Sequence, residues 1–171
     1  MYDLRGYGCY VCGERHVDIP TAYRLEFPVA AFDGTKVLFE KEGELCKAGE
    51  ARFILANLEL PITHRPHDTF AWTCWFSLSH ASYERLLASW ESSDRENEEP
   101  AFGYLSHSLP TYEPWTLHLK ARVHSRPPGI RPWIELEPTE HPLAREQATG
   151  ISADRIARIF HVFARQHTDS E

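Results

Sequence analysis

The stretch TLHLKARVHSR, residues 116–126, constrains the fold more tightly than any other part of the chain. Leu117, Leu119, Ala121 and Val123 alternate with His118, Lys120, Arg122, His124 and Arg126. A period of two belongs to a strand with one face on a core and the other turned away from it. One such strand cannot bury its own apolar side, so the rest of the chain must supply a sheet and a layer to cover it.

The other elements follow from the same kind of pattern. Residues 52–60 are rich in Phe, Ile and Leu and run up to Pro61, and residues 70–78 read FAWTCWFSL, so both predict strands. Residues 101–105 and 133–137 predict two more, with polar turns at 63–68 and 127–132. Ser79 can cap a helix whose apolar stripe is Tyr83, Leu86, Leu87 and Trp90. A second helix is expected near 141–147, with Pro142 in its first turn, Thr139 as cap, Glu140 at the positive end of the dipole and Gly150 as stop. A third starts from Ser152 and carries Ile156, Ile159, Phe160 and Phe163 on one side. Residues 17–50 read as loops with at most one short element. The acidic run ESSDRENEEP, residues 91–100, reads as an exposed loop. The sum is an α+β chain, a mainly antiparallel sheet with flanking helices.

The amino-terminal stretch CYVCGERH brings metal chemistry into the reading. Cys9 and Cys12 can present two thiolates to one ion from a single tight turn, Gly13 allows the chain to turn back, and His16 lies within reach. Of the remaining cysteines, Cys46 sits in the polar ELCKAGE, whereas Cys74 sits inside the aromatic strand, where an inert thiol is expected. Cys9, Cys12, His16 and Cys46 are therefore the candidate ligands of a structural zinc in a knuckle-like segment. Free thiols and a redox pair are the competing readings. Gly13 opposes the helix that usually follows a redox Cys-x-x-Cys. The chain divides into a zinc-clipped segment, residues 1–50, and an α+β core, residues 51–171, within one domain.

Charge and composition narrow the function classes. A net charge of −7 over 171 residues argues against nucleic acid as the main partner. No apolar run reaches the length of a membrane span, and no signal-peptide pattern opens the chain, so a cytoplasmic protein is expected. No nucleophile elbow, phosphate loop or His-Glu-x-x-His motif is present. The reading therefore favours a non-enzymatic protein that binds another protein. One form of this is an immunity-type inhibitor that masks a basic toxin surface with the acidic 91–99 loop. The alternative is an enzyme or small-anion binder built on Lys120, Arg122, His124 and Arg126, with Glu137 and His141 at the helix entry as an acid–base pair. Against it stands cross-strand pairing of those cations with Glu135 and Glu137.

The stretches CYVCGERH, ARFILANLELPI, FAWTCWFSLSHASYERLLASW, EEPAFGYLSHSLPTY and LHLKARVHSRPPGIRPWIELEPTEHPLAREQATGI together resemble the uncharacterised bacterial proteins of domain-of-unknown-function family 2199. The resemblance implies a complete single domain and a cysteine at the position of Cys46, and supplies no reaction. Two positions depart from it: Ala56-Asn57 replaces a glycine-containing pair, and Cys74 replaces an aliphatic residue.

Overall fold

The computed structural model describes residues 7–8, 15–16, 22–25, 36–109 and 111–168. Three short strands come first: β1 (Tyr7–Gly8), β2 (Arg15–His16) and β3 (Ala22–Arg24). Then follow β4 (Val37–Glu40), β5 (Leu45–Ala48), β6 (Ala51–Ile62) and β7 (Arg65–Leu78). Helix α1 (His80–Ala88) leads to β8 (Ala101–Leu105), β9 (Lys120–His124) and β10 (Trp133–Leu136). Helices α2 (Pro142–Thr149) and α3 (Ala153–Thr168) follow. The fold is α+β, as expected, and its sheet is mainly antiparallel.

The sheet does something that the strand pattern alone does not announce: it closes. β6 pairs with β7, β7 with β8, β8 with β9, β9 with β10, and β10 returns to β6, giving a five-stranded barrel. The long β6–β7 hairpin makes this possible because each strand has two neighbours on its far edge. β6 pairs with β5 from Ala51 to Ile54 and with β10 at Asn57, while β7 pairs with β3 from Ala71 to Thr73 and with β8 over its last residues. The β10–β6 and β3–β7 pairings are parallel.

Register explains which side chains fill the barrel. Ile54 faces Phe76, Ala56 faces Cys74, Leu58 faces Trp72 and Leu60 faces Phe70, all of them buried. The opposite face of the same hairpin carries a second, smaller cluster of Phe53, Leu55 and Trp75, joined by Cys46 and Ala48 from β5. β8 and β9 contribute Ala101, Gly103, Leu105, Ala121 and Val123 to the interior. Gly103 is small by necessity, since a Cβ there would lie 2.6 Å from the Ser77 carbonyl oxygen.

The last seam closes with a side chain. β10 and β6 share one register pair, Trp133 with Asn57. Beyond it, the Gln147 carboxamide from α2 accepts from the Leu136 amide at 2.8 Å and donates to the Ile134 carbonyl at 2.7 Å and the Glu59 carbonyl at 3.5 Å. A helix side chain thus takes the place of ladder hydrogen bonds where the strands splay.

Several expected boundaries shift, each for a local reason. The period-two strand is β9 alone: residues 116–119 form a turn, with His118 at φ 70° and Thr116 fully buried. Thr116 Oγ1 donates to the His107 carbonyl and accepts from the Leu109 amide, which fixes that turn. Among its described residues the 17–50 region holds three strands rather than one short element: β3 adds to β7, and β4 and β5 add to β6. The cap of α2 is His141, whose Nδ1 accepts from the Leu143 amide, and not Thr139. Ser79 and Ser152 accept the amides of Ser82 and Arg155, as N-caps do. The 91–100 loop is anchored from within: Arg95 is buried and donates to the carbonyls of Trp90, Arg126, Pro127 and Ile130. Its guanidinium also lies 4.6 Å from the Trp90 ring centroid.

Candidate functional site

β8, β9 and β10 lie side by side, so their outward residues form three parallel rows. β8 presents Phe102 and Tyr104, β9 presents Lys120, Arg122 and His124, and β10 presents Trp133 and Glu135, with Glu137 just beyond its end. Register aligns the rows across the strands. Phe102 pairs with Arg122, which pairs with Glu135; Tyr104 pairs with Lys120, whose carbonyl accepts the Glu137 amide. Phe102 is 50% exposed and Tyr104 37%, and their rings meet edge to face at 5.0 Å. A hollow of about 320 Å³, partly open to solvent, is lined by residues that include Phe102, Lys120, Arg122, Glu135, Glu137 and Pro138. A smaller one beside it reaches His118, Thr139 and Ala144 at the entry to α2.

The four residues proposed from the sequence for an anion site have separate environments. Arg126 lies past the end of β9 and forks onto Glu59 of β6 at 2.7 and 3.0 Å. His124 stacks on Trp133, with centroids 4.2 Å apart, and its Nε2 lies 2.8 Å from Glu135. Lys120 and Arg122 are exposed, and among the described residues their side chains have neither an ion pair nor a hydrogen bond. Cross-strand pairing therefore accounts for His124, and a more distant glutamate for Arg126. Arg122 is not paired with its register neighbour Glu135, whose carboxylate faces His124.

Glu137 and His141 are not brought together as an acid–base pair. The His141 ring is used on both sides, Nδ1 by the Leu143 amide and Nε2 by donation to the Pro114 carbonyl at 2.8 Å. That pair of contacts fixes one neutral tautomer and positions residues 111–116, where Trp115 stands 74% exposed.

The candidate zinc ligands fall partly outside the described residues: Cys9 and Cys12 lie there. β1 and β2 pair antiparallel, Tyr7 with His16 and Gly8 with Arg15, so residues 9–14 connect two paired strands. Cys46 is fully buried against Phe53, Leu55 and Trp75, and burial pushes its thiol up to about 12. Among the described residues no group of three or more His, Cys, Asp or Glu side chains could hold a metal ion. Cys74 is buried in the barrel, where burial likewise raises its thiol.

The aromatic row was hidden in the sequence. In AFGYL the aromatic Phe102 and Tyr104 point outward, while Ala101, Gly103 and Leu105 point inward, and the β7 backbone at Ser77 leaves no room for a Cβ at Gly103. The signal in the sequence is the alternation of small and aromatic side chains over residues 101–104.

The family model for uncharacterized proteins conserved in bacteria (DUF2199) matches residues 8–151, and the chain belongs to that family. No curated protein and no solved structure matches it. No helix among the described residues is long and apolar enough to cross a membrane.

Proposed function

We propose that this DUF2199 protein is a non-enzymatic protein-binding domain whose contact surface is the outer face of β8, β9 and β10. The observation that carries the reading is the exposed Phe102–Tyr104 pair standing beside Lys120 and Arg122, which have no partner among the described residues. Aromatic and arginine side chains on a rigid support are the usual anchors of protein interfaces, since they offer large contact area at low ordering cost. The hollow's volume of about 320 Å³ lies at the lower end of small-molecule pockets, and charged side chains make up half of its lining, which favours a protein surface over an enclosed small substrate. A photo-crosslinking residue placed at Phe102 in living cells tests this. Adducts with protein should form there and not from Glu84 on the exposed side of α1. Equal labelling from both positions, or none from Phe102, would reject the face.

We propose separately that Cys9, Cys12, His16 and Cys46 hold a structural zinc. The β1–β2 pairing supports it, because both cysteines fall in the connection between paired strands and His16 stands at its foot. Bound zinc would hold Cys46 as a thiolate, offsetting the burial that otherwise keeps it protonated. Elemental analysis of the native chain beside a Cys9→Ser, Cys12→Ser variant decides the matter. About one zinc per chain, lost in the variant, is expected. Equal metal in both, or none in protein prepared without chelators, would sink the site.

A further inference from the structure

The geometry points to a second copy of this chain as the partner of the β8–β9–β10 face, an inference that rests on the contact-face reading above. The face is self-complementary in charge. Lys120 and Arg122 lie on β9, and Glu135 and Glu137 lie at the same heights on and just after β10. A two-fold axis running along the strands between β9 and β10 exchanges the two rows while leaving every height unchanged. Arg122 of each copy then sits over Glu135 of the other, and Lys120 over Glu137. The two copies thus meet through the same patch, which is the isologous contact that closes a dimer.

Charge and spacing favour this occupant over a uniformly acidic or basic partner. Lys120 and Arg122 have no ion pair among the described residues, although Glu135, which His124 contacts, and Glu137 stand one strand away. Glu137 is exposed and likewise has no ion pair there. A partner of a single charge would meet one attractive row and one repulsive row within a Debye length, whereas a rotated copy meets two attractive ones. Repeats along the rows match as well, because successive outward residues are about 6.5–7 Å apart on both copies. Phe102 and Tyr104 give each copy an apolar flank next to the charged centre.

Sedimentation equilibrium of the full chain tests the dimer by charge exchange. The wild-type chain should self-associate at low salt and dissociate about tenfold more readily at high salt. A K120E/R122E chain and an E135K/E137K chain should each be monomeric alone, and should form a one-to-one heterodimer when mixed. Wild-type protein that stays monomeric at low salt, or a K120E/R122E chain that still self-associates, would overturn the inference. Cross-linking at Phe102 separates this failure from that of the face itself. Adducts to a different protein by a monomeric chain would leave the contact face standing and remove only the dimer.

Discussion

Single positions fix much of the energetics. Gly103 pairs with Leu78 on one side and Ala121 on the other, and its Cα faces the Ser77 carbonyl at a range no Cβ tolerates. The backbone, not a flexible side chain, would have to move. Gly103→Ala should therefore destabilise the chain by about 2 kcal/mol, the scale of overpacking, read as a lower urea midpoint at unchanged slope. His107 is the second such position. It is 6% exposed, its Nε2 has no hydrogen-bond partner, and burial lowers its pKa to about 4. The unfolded chain binds a proton near pH 6.5 that the folded chain refuses until about pH 4, so stability is full above pH 6.5 and falls as the pH drops between those values. The loss across that window should reach about 3 kcal/mol. Denaturation midpoints of the native chain and a His107→Gln variant, measured from neutral to acidic pH, should converge as the pH falls. Parallel curves would show that His107 is not the titrating group. Tyr83 from α1 donates to Glu40 on β4 and holds that carboxyl below its ordinary value, adding to acid sensitivity in the same direction.

Elements are held where hydrogen bonds cross between them. Gln147 satisfies the Leu136 amide and the Ile134 carbonyl at the point where β10 and β6 part. Gln147→Leu keeps the volume and strands both backbone groups, at a cost of about 2–4 kcal/mol. Hydrogen exchange at the Leu136 amide should quicken well before the β6–β7 hairpin is affected. Uniform quickening would instead assign Gln147 a part in the global core. α2 and α3 are fastened to the barrel by a second network. Tyr112 donates to Glu146 at 2.5 Å, Arg155 donates to the other Glu146 oxygen at 2.8 Å and to the Thr111 carbonyl at 3.0 Å, and Trp72 Nε1 donates to the Tyr112 hydroxyl. The helices themselves were legible from caps and stripes, since a cap and the following turn are local. Local sequence points to Thr139 as the α2 cap, whereas the cap is His141, whose Nδ1 accepts the Leu143 amide while its Nε2 is held by Pro114, a contact 27 residues away.

At the scale of the molecule, two thiols report on cooperative opening. Cys46 lies in the outer cluster and Cys74 in the barrel, both fully buried. In a Cys9→Ser, Cys12→Ser background, a thiol reagent at mildly alkaline pH should leave both unlabelled until the chain unfolds, and both should then react together. Early labelling of Cys46 alone would show that β5 opens independently of the barrel.

The sequence by itself determined the strands around residues 52–60, 70–78 and 120–124, the capped helices, and the outward placement of Lys120, Arg122 and His124, because each of these is a period or a cap read within a few residues. Tertiary structure alone decided that the sheet closes, that Phe102 and Tyr104 face out while Gly103 faces in, and that Arg126 and His124 are paired while Lys120 and Arg122 are not. Those outcomes depend on which strand edges meet, and a strand's pattern specifies its own faces without specifying its neighbours.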